Sequence, residues 1–199
     1  MLINESYIEV RDMMAKLSDA EVAPLATQID HEGLIPDSLR QKLNENGLMG
    51  IYVPEEYGGA GMDYMSYAIM IEEISRSCGS TGVLLSAHNS LAVWPILKYG
   101  TEEQKKKYLP KMASGEWVGC FCLSEPNAGS DPGTLATFAE DKGDSLKSPE
   151  LKTSSLMEKK LVSPLFWPKP PKLITIKELR LLLSKLHGRV LMYKNLKIN

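Results

Sequence analysis

Between residues 5 and 29 the apolar positions fall at Ile8, Val10, Met13, Met14, Leu17, Val22, Leu25 and Ile29, a mostly helical spacing. Pro24 interrupts it. Proline lacks the amide donor and its ring crowds the preceding turn, so the pattern predicts one long helix bent or broken near that point. The stretch PDSLRQKLNENG then predicts a short helix. Pro36 suits its start, Leu39 and Leu43 lie four apart on one face, and Gly47 is a natural stop. LMGIYVPEEYGGAGMD reads as a connector punctuated by proline and glycine. Asp63 or Ser66 can cap a further helix over 64–77, whose apolar stripe is expected at Tyr67, Ile71 and Ile74, with CGSTG ending it.

VLLSAHNSLAVWPILKYG, almost free of charge, predicts a buried helix. TEEQKKKYLPKMASGE opens another, with Thr101 as its cap and acidic residues in the first turn, where the helix dipole favours them. Five or six helices therefore precede any strand. At Trp117 the period changes: WVGCFCLSE is an apolar run with the β-branched and aromatic character of a strand. The expected fold class is mainly α, a helical domain followed by a first strand and its loop.

Composition narrows the function classes. With 43% hydrophobic and 24% charged residues in a chain of 199, the values are those of an ordinary globular protein. A formal net charge of -2 argues against a nucleic-acid partner, since no basic excess is available to neutralise phosphates. No apolar run approaches the roughly 20 residues of a membrane helix, and MLINESYIEV has neither a signal-peptide core nor an Arg-rich transit pattern. The charge is unevenly spread, however. Residues 146–199 carry 12 basic and 3 acidic side chains, against 11 and 22 in the first 145.

Few residues offer chemistry by themselves. Cys78, Cys120 and Cys122 form no metal-ligand array and read as buried free thiols, the last two on one face of a strand. Glu72 and Glu73 diverge by about 100° around a helix, which suits a solvated or pairing role better than a shared proton. His88, among Ser86, Asn89 and Ser90, reads as a hydrogen-bonded structural histidine, with no second histidine or thiol at a telling interval. The loop LSEPNAGSD differs: it offers backbone amides at Asn127, Ala128 and Gly129 and hydroxyls at Ser124 and Ser130, and it allows close approach at Gly129. A phosphate or a flat heteroaromatic would suit it; a plain β-turn is the other reading.

VPEEYGGAGMDY, EEISRSCGSTG, GTEEQKKKYLP, ASGE and CLSEPNAGSD, in this order and at these separations, resemble the amino-terminal half of the acyl-CoA dehydrogenase family, and most of all its short-chain, butyryl-CoA branch. The resemblance covers roughly residues 5–145. It implies three parts: a helical domain over 1–115, the start of an FAD-binding β-domain over 116–145, and a tail over 146–199 outside the family pattern. It also implies that the flavin is held by Phe121, Cys122, Leu123, Ser124, Glu125, Pro126, Asn127, Ala128, Gly129 and Ser130. Ser124 would contact the isoalloxazine edge and Ser130 would face the acyl-CoA substrate.

The implied reaction converts a fatty acyl thioester to the 2,3-enoyl-CoA. A glutamate carboxylate takes the α-proton, the β-hydride goes to flavin N5, and an electron-transfer flavoprotein removes the electrons. In the family the base lies in a carboxy-terminal bundle and the subunits form a homotetramer. No catalytic residue and no metal is therefore assigned here, the FAD site is expected to be incomplete, and this chain alone is expected to be inactive. The implied compartment is the mitochondrial matrix for a eukaryotic source and the cytoplasm for a bacterial one. A contrasting expectation is a non-catalytic helical interaction module that docks through its basic tail.

The tail has its own signature. Where the family expects a strand resembling W-x-L-N-G-T-K-x-W-I-T-N, this chain reads LKSPELKTSSLMEKKLVSPLFWPKPPK. Joining the last base of each codon to the first two of the next tests a displaced frame. Across Pro149 to Glu158 that frame can encode G-T-K-N-F-I-T-N-G, with the final glycine compulsory from Met157 and Glu158. Across Ile176 to Lys185 it can encode K-G-I-T-A-F-I-V-E, and across Leu196 to Asn199 E-D-K. These strings resemble successive family segments at the family's spacing, so the tail is expected to be an out-of-frame translation, irregular or helical by accident.

Overall fold

The computed structural model describes residues 5–119, Ser130, and the pairs 140–141 and 146–147. The chain divides into two compact units at Gly119. In the first, seven α-helical segments join into five rods.

The first rod is α1 (Glu5–Leu17), a widened π turn (Ser18–Val22), a tight 3-10 turn (Ala23–Leu25) and α2 (Ala26–Glu32). The expected break at Pro24 is thus a change of helical gauge spread over two turns. Losing the Pro24 amide and making room for its ring loosens the turn before it. The widened turn is used: Ser18 is fully buried, its Oγ 2.8 Å from both the Glu73 carbonyl oxygen and Ser77 Oγ. Gly33, at φ 66°, closes the rod by donating its amide to the Ile29 carbonyl at 2.8 Å.

The second rod, α3 (Asp37–Glu45), follows Pro36 and buries Leu39 and Leu43 as the pattern required. Gly47 ends it at φ 72°. The connector is more than a link, because Leu48 to Val53 are all buried. Apart from the 3-10 turn Leu48–Gly50 this buried backbone is irregular, and its polar groups must find partners. Here the amides of Ala60, Gly61 and Met62 donate back to the carbonyls of Gly50, Val53 and Ile51 at 2.8–3.0 Å. The fold-back requires Gly59, since a Cβ there would stand 2.1 Å from the Val53 carbonyl oxygen.

Asp63 caps α4 (Tyr64–Ser77), accepting from the Ser66 amide at 2.8 Å, while Tyr7 reaches from α1 to donate to the other carboxylate oxygen at 2.5 Å. The Tyr7 hydrogen bond, with the Ser66 amide second, holds the Asp63 carboxyl below its usual range. The buried stripe of α4 is Ser66, Met70 and Ile74: it keeps the expected Ile74 but turns Ser66 and Met70 inward in place of Tyr67 and Ile71. Ser66 can turn inward because the cap satisfies its hydroxyl, whereas Tyr67 and Ile71 stay half-buried at the stripe's edge.

The fourth rod joins α5 (Gly79–Ser86), a second π turn (Ala87–Val93) and α6 (Trp94–Tyr99). This π turn also leads into a proline, Pro95. The fifth, α7 (Glu102–Ala113), opens with a capping box: the Gln104 amide donates to Thr101 Oγ1 at 3.3 Å and the Thr101 amide to Gln104 Oε1 at 2.8 Å. Packing runs α1 on α4, α4 on α5, and α6 on α7, with α7 also resting on residues 48–50.

In the second unit, β1 (Glu140–Asp141) and β2 (Leu146–Lys147) pair antiparallel, Glu140 opposite Lys147 and Asp141 opposite Leu146. Residues 148–199 of the tail lie outside the described residues.

Candidate functional site

Of the ten residues expected to hold a flavin, Phe121, Cys122, Leu123, Ser124, Glu125, Pro126, Asn127, Ala128 and Gly129 lie outside the described residues, as does Cys120. Ser130 is described, in an exposed bend. What the structure does describe is the platform from which the chain enters that loop. Trp117, Val118 and Gly119 are buried but form no strand. The Trp117 amide donates to the Lys111 carbonyl at 2.9 Å, and the Lys111 ammonium sits 4.7 Å from the centre of the Trp117 ring.

His88 is the node of this platform. It is completely buried, accepts the Gly119 amide at Nδ1 (2.9 Å), and lies with Nε2 2.9 Å from the Met49 carbonyl oxygen. A backbone amide can only donate, so Nδ1 must be bare and the proton must sit on Nε2, where it is donated to Met49. Burial pushes the imidazole down to about 4, against the opposing pull of the Met49 and Met112 carbonyls. At neutral pH the ring is uncharged, which is the structural role its sequence context suggested.

Asn89 works beside it. Its Nδ2 donates to the Leu48 carbonyl at 2.9 Å and to the Leu85 carbonyl at 3.0 Å, and its backbone carbonyl accepts from the Tyr52 hydroxyl. Burial, and then the neighbouring Tyr67 and Tyr64, push the Tyr52 phenol up. Two adjacent side chains on a regular helix point about 100° apart. The widened turn lets His88 and Asn89 both meet the connector, at the successive carbonyls of Met49 and Leu48. Nothing in the sequence signalled this pairing except Pro95, whose cost to the preceding turn is general.

An aromatic face surrounds the same rod. Tyr52 packs on Tyr64 at 5.2 Å and on Tyr67 at 5.4 Å, Trp94 donates to the Tyr64 hydroxyl at 3.0 Å, and the Trp94 ring meets Tyr99 edge-on at 5.5 Å. Tyr64, Val83, Leu91 and Tyr99 leave apolar surface exposed there or nearby on the rod. Glu72 is exposed and Glu73 pairs with Arg76 at 3.2 Å, so the two carboxylates do not act as a pair. Cys78 is a buried free thiol. Among the described residues no cluster of His, Cys, Asp and Glu is arranged to hold a metal, and no helix is long and apolar enough to cross a membrane.

The profile of the acyl-CoA dehydrogenase N-terminal domain matches residues 4–116, more than half of the chain. The chain belongs to the acyl-CoA dehydrogenase family. It is 45% identical over 141 residues to the mitochondrial short-chain specific acyl-CoA dehydrogenase of Rattus norvegicus, covering 71% of this chain and 34% of that protein. To the short-chain specific acyl-CoA dehydrogenase of Clostridium acetobutylicum it is 48% identical over 135 residues, 68% of this chain and 36% of that one. Among solved structures it is similar to butyryl-CoA dehydrogenase from Megasphaera elsdenii, with a TM-score of 0.65 at 33% identity over 72% of this chain and 38% of that one. A structure described as the electron transferring flavoprotein of Acidaminococcus fermentans matches with a TM-score of 0.69 at 41% identity, over 73% of this chain and 38% of that one. The chain thus spans about a third of the length of these family members.

Proposed function

We propose that this chain carries the amino-terminal portion of an FAD-dependent short-chain acyl-CoA dehydrogenase, which converts an acyl-CoA thioester to its 2,3-enoyl-CoA. The observation that carries the reading is the ordered run of family motifs along the sequence, from VPEEYGGAGMDY to CLSEPNAGSD. When bound, FAD supplies the acceptor for the hydride leaving the β-carbon. The residues assigned to hold it are Phe121 to Ser130, with Ser124 at the isoalloxazine edge and Ser130 toward the substrate. The helical unit ends in a fixed segment: Trp117 to Gly119 are buried, with the Trp117 amide bonded to α7 and the Gly119 amide to His88. Positioning is the larger part of such catalysis, and the base and an oligomeric closure of the site are assigned to other parts of the family fold. The substrate of that enzyme is a short acyl-CoA, its electron acceptor an electron-transfer flavoprotein and, in the family, its assembly a homotetramer.

We further infer that residues from about 146 onward come from a displaced reading frame. The jump to 12 basic against 3 acidic residues and the three hidden family strings begin at the same place. The 199-residue polypeptide by itself is therefore expected to retain little FAD and to turn over no substrate.

The nucleotide sequence around codons 140–150 is the decisive experiment. A displaced frame that carries the three strings without stops supports the reading; stops among them dispose of it. The polypeptide should also purify colourless, and a yellow product with stoichiometric flavin would show that its cofactor site is complete. The enzyme read through in the restored frame should oxidise butyryl-CoA with a flavoprotein or dye acceptor, and failure to do so would remove the assigned activity.

A further inference from the structure

Asn46 and Gly47 are the one Asn-Gly pair in the chain. Such a pair carries its own chemistry. The backbone nitrogen of the glycine can attack the side-chain amide carbon of the asparagine, because glycine places no side chain beside the attacking atom. A five-membered imide forms as the bond from Gly47 N to Asn46 Cγ is made and the Cγ–Nδ2 bond breaks; the Gly47 amide proton passes to solvent base and Nδ2 leaves as ammonia. Water then opens the imide. Attack at Cγ gives aspartate, and attack at the backbone carbonyl gives isoaspartate, whose main chain runs through the side-chain carbon.

The pair stands at the end of α3, and the cap there holds the reacting atoms apart. Ring closure needs Gly47 N to swing beside Asn46 Cβ about the Cα–C bond. At ψ 9° that nitrogen nearly eclipses the backbone nitrogen of Asn46 instead. Both reacting nitrogens are also tied down. The Gly47 amide donates to the Asn44 carbonyl at 2.8 Å, and Asn46 Nδ2 donates to the Lys42 carbonyl at 2.8 Å, which also accepts the Asn46 amide at 3.2 Å. Gly47 is itself fixed by the fold, since it stops the helix at φ 72°, where a side chain that would hinder the attack is strained. Asn46 is exposed, so this bonded geometry, and not burial, is what protects it.

We propose that Asn46 is a spontaneous deamidation site held shut by the C-cap of α3: Asn46 and Gly47 form the imide only when the last turn of that helix opens. The consequence reaches past the pair. Neither product keeps the Nδ2 donor for Lys42, and either puts a new carboxylate next to Glu45 at the negative end of the helix, where Glu45 already takes the Lys42 ammonium at 3.5 Å. Isoaspartate also adds a methylene to the backbone just ahead of the buried connector, whose first turn rests on the bond from the Gly50 amide to the Gly47 carbonyl at 3.2 Å. The cap cannot re-form with its original bonds, so conversion runs one way. It does so whatever reaction the chain belongs to.

The experiment follows residue 46 by peptide mapping and mass spectrometry in one mildly alkaline buffer. It compares the full 199-residue chain when folded, the same chain unfolded in urea, and the synthetic peptide QKLNENGLMG, residues 41–50. Aspartate and isoaspartate at 46 should accumulate about tenfold or more slowly in the folded chain than in the other two, because the closed cap must open first. Equal rates in the folded chain and the peptide would overturn the proposal, as would a peptide or unfolded chain that keeps its asparagine at 46.

Two substitutions tie the rate to the helix end. Leu43→Ala removes a fully buried side chain close to the cap and should raise the rate at 46 in the folded chain. An unchanged rate there would mean that the reaction does not wait on the end of α3, and would also overturn the proposal. Asn46→Gln, whose imide would need a sixth ring member, should show no conversion at 46; the same mass change in that variant would place the reaction at another residue. The comparison of folded chain with peptide stands even if Leu43→Ala fails to fold.

Discussion

Gly119 and Ala92 approach so closely that a Cβ added to the glycine would stand 2.1 Å from the alanine Cβ. Both belong to the helical unit, and the contact seats the buried end of that unit against the rod of α5 and α6. Gly119→Ala should therefore destabilise the protein by about 1–3 kcal/mol through overpacking. Pairing it with Ala92→Gly should recover part of the loss, because the same methyl volume is then removed from the other side. Urea unfolding of the two single variants and the double variant measures the coupling; strictly additive losses would mean that the two positions do not touch.

Thr101 and Gln104 close the start of α7 by exchanging side-chain and backbone hydrogen bonds at 3.3 and 2.8 Å. Thr101→Ala should cost about 1 kcal/mol, and Thr101→Ser should restore most of it, since only the hydroxyl is used. The expected shift in the thermal midpoint is a few degrees for a unit of this size. A Ser variant no better than Ala would rule the hydroxyl out as the cap.

His88 predicts a stability that depends on pH with a definite sign. Its folded pKa is lowered from 6.5 to about 4, so below 6.5 the unfolded chain gains a proton that the folded chain refuses. The stability is fully present above about 6.5 and is lost progressively as pH falls toward 4. At 1.36 kcal/mol per pH unit the loss amounts to about 3 kcal/mol. Comparing the unsubstituted protein with His88→Asn from pH 7.5 to 4 isolates this contribution from the carboxylates. The deficit of the variant should shrink as the pH drops; a constant deficit would mean that the imidazole is not excluded from protonation.

Much of this fold was legible in the sequence because its signals are local. Pro24, Pro36, Gly47, Asp63 and Thr101 each act on the turn in which they stand, and the structure places a bend, a helix start, a stop and two caps there. The connector's burial was not legible. Leu48 to Val53 carry no periodicity, and their shielding depends on partners at 60–62 and 88–89 that only the tertiary fold brings near. The stripe of α4 was misjudged at two of its three positions for a related reason. Hydropathy favours Tyr67 over Ser66, but a serine whose hydroxyl is already bonded to Asp63 is inexpensive to bury. His88 was read correctly as structural, yet its reach to Gly119 spans 31 positions and leaves no trace in spacing. The ordered motifs carried the functional reading through resemblance, whereas the hold of His88 on Gly119 became visible only in three dimensions.

Asn89 gives a prediction of the opposite sign to His88. Its amide nitrogen donates to two carbonyls, Leu48 at 2.9 Å and Leu85 at 3.0 Å, from a fully buried position. Asn89→Asp keeps the shape but removes both donor hydrogens when ionised, placing a carboxylate against two carbonyl oxygens inside the core. Such a charge costs several kcal/mol to bury, so the carboxyl should stay protonated in the fold well above its ordinary pKa of about 3.9. A group with a raised folded pKa destabilises most at high pH and is relieved as pH falls through that value. The variant should therefore be severely destabilised at pH 7 and regain stability, relative to the unsubstituted protein, toward pH 5. Denaturant midpoints at the two pH values provide the check. A variant with the same deficit at both would mean that the side chain has turned to solvent, and that the connector is held by His88 and packing without Asn89.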